Sequence, residues 1–281
     1  MGISIPSFRQ LGRCAAVAGL VLGLAAPGVA QAQMRSKPST ASLPLGEQYK
    51  VEVSGAWWTP TPLGVIASSQ PTVLGSDVSF TTDLGYTKTR FRDFGVTMRP
   101  AKKHKLKFEF TPIEYSSSAT LQRTLVFNGV SFPVSVPIES SFSWKVWRFG
   151  YEYDFLYRSR FYAGVVAEVR GTEVTANVSS VIGSGTTAAR APLPALGLVG
   201  RVYPLRDLAV DVGFTTFSVP NSLLKTVHGN YRDWNVSTTV DFGKNFGVKV
   251  GWRRLTTTLT MDNYSGNLDF QGMWWGAVLR Y

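Results

Sequence analysis

The chain has 281 residues, 29 Lys+Arg against 18 Asp+Glu for a formal charge of +11, 13% aromatic residues and only 17% charged ones. Ordinary soluble domains carry about 25% charged residues, so this composition argues against one, and no segment after residue 32 resembles a spanning helix. The only cysteine, Cys14, lies ahead of the first apolar run, so a processed chain has no thiol; that excludes disulfides, thiolate metal sites and cysteine nucleophiles.

Residues 1–32 read as a cleavable export signal. Arg9 and Arg13 precede the apolar run "AAVAGLVLGLAA", and "AQA" at 30–32 supplies the small residues that a signal peptidase needs. Removing these two arginines leaves 27 basic residues against 18 acidic ones, or +9. In an exported chain such an excess points to anionic lipid or polysaccharide rather than to nucleic acid. Residues 33–47, "QMRSKPSTASLPLGE", are polar and proline-punctuated and are expected to form a flexible periplasmic leader. Residues 48–281 form the one folded domain.

From Gln48 onward apolar and polar residues alternate with period two, the mark of strands with two unlike faces. About ten strands are predicted, within a range of eight to twelve: 49–58, 90–99, 105–111, 143–155, 161–174, 193–203, 208–217, 232–242, 246–255 and 268–281. Tight connectors (100–104, 156–159, 204–207, 243–245) take turns with long ones (59–89, 112–142, 175–192, 218–231, 256–267). Short turns at one end and long loops at the other describe an all-β, transmembrane, antiparallel up-and-down β-barrel with both termini periplasmic.

One parity is apolar on strand after strand, as in Tyr49, Val51, Val53 and Trp57, or Trp147, Phe149, Tyr151, Tyr153 and Phe155. These side chains number roughly forty, too many for the bore of a barrel of about ten strands, so they face lipid. The other parity then faces the lumen. It carries Lys50, Glu52, Glu109, Arg148, Glu152, Asp154, Glu168, Arg170, Arg201, Asp211, Lys249, Arg253 and Arg280, with glycines interleaved to make room. Near balance of sign is expected of such a network, because unpaired charges at this depth are costly. It either blocks the bore or lines a narrow pore.

The final "GMWWGAVLRY" places Met273, Trp275, Ala277, Leu279 and Tyr281 on the outward parity and stops on an aromatic residue. With the export signal and the strand pattern, this resembles the Gram-negative outer-membrane β-barrel proteins. The resemblance covers nearly the whole processed chain and implies assembly by the barrel-assembly machinery, with periplasmic chaperones on the way, to a monomer. It names no subfamily, since one architecture serves many functions.

Barrel enzymes leave signatures that are missing here. A lipid A deacylase carries His-x-Ser, which neither "HKL" at His104 nor "HGN" at His228 supplies; an omptin-like protease carries Asp-x-His, but the residue two before His228 is Thr226. The outer-membrane phospholipase pattern is also absent. His228 with Asp233, five residues on, is a conceivable general-base pair at the loop rim, and an outer-membrane hydrolase acting on lipid or peptide is the rival reading. Asp262 and Asn263 match no calcium loop, and with two histidines no metal or other cofactor is expected.

The remaining expectations concern the outside. Arg92, Lys145, Arg232 and Arg254 each lie two residues from an outward aromatic, on its long-loop side. With Arg190 they would reach the phosphates of lipopolysaccharide by charge-assisted hydrogen bonds, or else simply stand as solvated rim charges. Within 120–138, Asn128-Gly129 signals a hairpin turn. After it Val130, Phe132, Val134, Val136 and Ile138 share one apolar face, which either packs on neighbouring loops or docks a partner. The expected function is thus a non-enzymatic outer-membrane barrel, giving narrow passage to small solutes or acting as a structural, lipopolysaccharide-interacting protein. Adhesion through the hairpin is the further alternative.

Overall fold

A computed structural model describes residues 44–218, 227–261 and 264–281. The export segment, most of the leader, and the Asp262–Asn263 pair lie outside the described residues, as does the side chain of His228.

The strands are β1 (Val51–Ser68), β2 (Val78–Ser79), β3 (Phe91–Ala101), β4 (His104–Thr120), β5 (Leu125–Phe127), β6 (Val130–Phe132), β7 (Pro137–Tyr157), β8 (Phe161–Ser180), β9 (Gly183–Val202), β10 (Leu208–Ser218), β11 (Val227–Phe242), β12 (Phe246–Met261) and β13 (Tyr264–Arg280). Ten of them pair antiparallel in the order β1-β3-β4-β7-β8-β9-β10-β11-β12-β13. The sheet closes on itself where β13 pairs with β1, from Glu52↔Arg280 to Ser68↔Tyr264. Closure leaves no unpaired edge at that seam. The ten predicted strands are all present.

They are longer than the sequence pattern suggested. Most of the segments expected as long loops are ladder: β7 and β8 pair up to Glu139↔Ser179, and β8 and β9 up to Ser180↔Gly183. β7 shows why. Trp147, Phe149, Tyr151, Tyr153 and Phe155 are exposed on its outer face, while Arg148, Glu152 and Asp154 turn inward. Above Lys145 the same outward parity becomes Ser143, Ser141 and Glu139, and from Val146 upward the inward one becomes Val146, Trp144, Phe142, Ser140 and Ile138. The alternation never breaks; only its chemistry inverts. At about 3.3 Å per residue and a tilt of roughly 40°, 147–155 rises about 20 Å along the axis, near the ~25 Å apolar band of outer-membrane barrels.

The hairpin end holds a core of its own. Phe80, Leu84 and Tyr86 from the segment after β1, and Leu125, Phe127 and Phe132 from the β5–β6 hairpin, are buried with Ile113, Phe142, Trp144 and Phe270 from the barrel wall. Phe80 and Phe142 approach to 4.7 Å between ring centres, and Trp144 and Phe270 to 5.7 Å. The hairpin turns at Asn128 (φ 51°) and Gly129 (φ 80°) as its sequence required.

Three expectations are corrected here. The apolar face after Asn128 is not continuous: Ser135 takes φ 65°, the strand breaks between β6 and β7, Phe132 is buried and Val134 is exposed. Adhesion through that face therefore loses its surface. Residues 44–47 are not leader, because Leu45–Glu47 form a 3-10 turn and Glu47 is 4% exposed inside the barrel mouth. Lys50 does not face the lumen; β1 begins after it, and it is exposed at the rim, while Tyr49 turns its ring toward the guanidiniums of Arg99 and Arg280 instead of toward lipid.

Candidate functional site

Inside the apolar band the inward parity builds two charged layers. The upper centres on Asp233, placed by β11 with Trp234 outward. Its Oδ2 lies 2.6 Å from Arg148 Nη2, 2.8 Å from Arg253 Nη2 and 3.3 Å from Arg170 Nη1, and it accepts a hydrogen bond of 3.0 Å from the Tyr231 hydroxyl. Arg148 also reaches Glu109 at 2.9 Å and Glu168 at 3.6 Å. Arg253 reaches Asp93 at 3.1 Å, and Arg170 pairs with Glu168 and donates to Thr215 Oγ1 at 2.6 Å. The aromatic core sits directly on this layer: the Tyr231 ring is 4.1 Å from the Arg170 guanidinium carbon, and the Trp58 ring 5.2 Å from that of Arg253.

The lower layer floors the barrel at the end with the short turns. Lys105 lies 2.7 Å from Glu152 and 3.0 Å from Asp154, and Lys107 pairs with the same Glu152. Arg280 reaches both Glu52 and Asp241 at 2.5 Å, and Arg201 pairs with Asp211. Glu47 crosses from one wall to the other. Its carboxylate is 2.6 Å from Arg99 on β3 and 3.4 Å from Arg201 on β9, and accepts a 2.7 Å hydrogen bond from the Tyr203 hydroxyl. Glycines make this crowding possible: a Cβ at Gly164 would stand 2.7 Å from Asp154 Oδ1, and one at Gly247 2.6 Å from Asp241 Oδ1.

Between the layers lies a polar cavity of about 210 Å³. A polar cavity of this size has room for several ordered waters. Lys249 faces it, half-buried, with no carboxylate within 4.0 Å among the described residues. Trp58, Tyr231 and Phe270 are at most 1% exposed above the cavity, and Glu47, Arg99 and Arg280 at most 8% exposed below it. Buried side chains thus line the lumen at both ends.

Of the predicted lumen residues, all except Lys50 lie in this network or line its cavity. The sequence pattern does not by itself place Lys105, Asp233, Asp241 or Glu47 in the lumen list above. Lys105, Asp233 and Asp241 stand on the inward parity beside outward Leu106, Trp234 and Phe242 and were findable by that rule. Both carboxylate oxygens of Asp233 accept hydrogen bonds from the arginines.

On the outside Arg92, Lys145 and Arg232 are exposed, as expected. Arg190 is paired with Glu173 at 2.7 Å, and Arg254 makes a two-pronged contact with Asp269 at 2.6 and 3.1 Å. These carboxylates offset part of their charge, although Arg190 stays 78% exposed. The aromatics below form stacked pairs, Trp57 with Trp275 at 4.5 Å and Phe110 with Trp147 at 4.0 Å. Met273, Trp275, Leu279 and Tyr281 of the terminal strand are exposed outward. At the crown, burial alone would raise the Asp83 carboxyl. Hydrogen bonds from Arg123 (2.7 and 3.0 Å) and from the Ser79 N–H (2.8 Å), with the Arg123 charge, hold it below its ordinary value.

No protein-family model matches the chain, and no curated protein matches it in sequence. Solved structures do match in fold. The outer membrane protease OmpT of Escherichia coli aligns at a TM-score of 0.55 with 9% identity, over 84% of this chain and 97% of that one. Ail, the attachment invasion locus protein of Yersinia pestis, aligns at 0.34 with 9% identity over 83% and 99%. The toluene transporter TodX of Pseudomonas putida aligns at 0.36 with 6% identity over 85% and 93%. The chain has a closed, all-β barrel fold of the outer-membrane kind, like that of OmpT, and such a fold does not by itself assign a function.

Proposed function

We propose that the protein is a sealed, non-enzymatic barrel of the outer membrane whose work is done on its outer surface, as a structural element that engages lipopolysaccharide. It is exported by its cleaved first 32 residues, assembled through its terminal strand by the barrel-assembly machinery, and stands as a monomer with its termini and short turns in the periplasm. The observation that supports this reading is the burial of side chains at both ends of the lumen, Trp58, Tyr231 and Phe270 above and Glu47, Arg99 and Arg280 below. A passage for solutes would require displacing one of these sets, so the passage reading ranks second. The exposed Arg92, Lys145 and Arg232 above the aromatic girdle supply the cations for lipid phosphates.

Two measurements test it. Purified barrel in planar bilayers gives no single-channel steps; steady steps would restore the passage reading. Replacing Arg92, Lys145, Arg190, Arg232 and Arg254 by glutamine lowers the lipopolysaccharide that co-purifies with the folded protein; unchanged retention would leave the barrel with no lipid role.

A further inference from the structure

One wall of the apolar band is not smooth. Phe108, Phe149 and Val169 lie side by side across β4, β7 and β8, and Leu106, Tyr151 and Ala167 lie side by side one outward position below them. Between these two banks runs an apolar groove of about 960 Å³ that continues over β9 and β10. That volume falls among those of ligand pockets, about 300–1,000 Å³. Its depth comes from small residues at the middle, with Ala167 on one bank and Gly150 beneath.

What stands above the groove on the same strands is ordered by chemistry. Four residues up β7 from Phe149, about 13 Å along the strand, is exposed Lys145, neighbour in the ladder to Glu173, which in turn neighbours Arg190. Above that the outward residues of adjacent strands are Ser116, Ser141, Asn177 and Thr186 in one row. An apolar slot, a cationic step and a row of hydroxyl and amide groups follow one another outward along the same wall.

We infer that the β4–β9 wall is a specific seat for one lipopolysaccharide molecule, with acyl chain in the groove, phosphate at Lys145 and core sugars against the Ser116–Thr186 row. This rests on the outward orientation and lipid role proposed above and adds a place to them. Charge decides the occupant: a zwitterionic phospholipid has little to gain from the cationic step and nothing to offer the hydroxyl row.

The test compares two substitutions on opposite walls. Ala167→Phe fills the groove, and Val250→Phe adds the same ring to the exposed lipid face of β12. Delipidated, folded protein, identified by its unheated gel mobility, is titrated with lipopolysaccharide carrying a complete core and counted by native mass spectrometry. Ala167→Phe is expected to weaken retention at least threefold and Val250→Phe to leave it unchanged, with Ala167→Leu standing in if the phenylalanine variant does not fold. Equal retention by both, or equal competition by phosphatidylethanolamine, overturns the seat. If the glutamine variants lose lipopolysaccharide while Ala167→Phe does not, the belt stands and the seat falls; if neither loses it, both fall.

Discussion

β7 carries two environments on one ladder with β4 that runs without a break from Pro137 to Tyr153. From Trp147 downward its inner face is Arg148, Glu152 and Asp154 and its outer face is aromatic; from Val146 upward its inner face is Val146, Trp144 and Phe142 and its outer face, past Lys145, is Ser143 and Ser141. The backbone is the same in both halves, and so is the parity. The difference lies in what surrounds the wall. Where the outside is oil, apolar side chains gain nothing by turning inward, and the narrow bore receives the charges. Where the outside is water, the ordinary rule returns and burial of apolar surface, worth about 25 cal/mol per Å², holds the top together. Each half therefore depends on its own kind of interaction, and variants can separate them.

The largest effect is expected from Asp233→Ala. It leaves Arg148, Arg170 and Arg253 gathered around a missing carboxylate, and removing one partner of a buried ionic cluster costs roughly 3–5 kcal/mol. The loss should appear as a lowered midpoint in urea unfolding followed by gel mobility. Asp233→Asn should restore part of it through hydrogen bonds alone. If the alanine variant is as stable as the parent, the lower half is not held by its charges.

Next comes Phe132→Ala in the crown, where the side chain is fully buried. Large-to-small changes of this kind cost about 3–5 kcal/mol. Here the loss should be confined to the hairpin end, read as faster amide exchange in 121–136 with little change in the girdle strands. Uniform loosening would mean the halves are one cooperative unit after all.

Glu47→Ala should cost less, on the order of 2 kcal/mol, since Arg99 keeps its hydrogen bonds to the Lys102 carbonyl and the Tyr157 hydroxyl. It should not open a channel by itself, because the aromatic cap remains. Combining it with Trp58→Ala, Tyr231→Ala and Phe270→Ala, which remove that cap, should give conductance where neither change alone does.

The smallest effect is on pH. Asp83 is held below its ordinary value, so its contribution to the crown is complete above the unfolded carboxyl pKa of about 3.9 and fades as pH falls below it. Protection of the crown amides should drop below about pH 4, and Asp83→Asn should remove that dependence.

Much of this was open to reading from the sequence. Period two gave the strands, the volume of the aromatic parity gave their direction, and Asn128-Gly129 gave a turn. What escaped was the upper wall, because a search for apolar residues facing out ends the strand at Ser143 and treats Ser141 and Glu139 as loop. The counter-signal was Phe142, on the parity of Trp144 and Val146. Asp233 followed from the same parity as Trp234 but was read as a rim residue. Glu47 had no local signature: a single carboxylate in a proline-bearing leader acquires its role only when β3 and β9 stand opposite each other.

That position has a mechanical meaning. Glu47 ties Arg99 on one side of the cylinder to Arg201 and Tyr203 on the other, as a spoke ties a rim. A hoop of strands left to itself can flatten under the lateral pressure of the bilayer; a hoop with a spoke keeps its diameter. The spoke can be set only once β3 and β9 face each other across the bore, so a chain that has seated Glu47 is one whose wall has already curled from β3 round to β9.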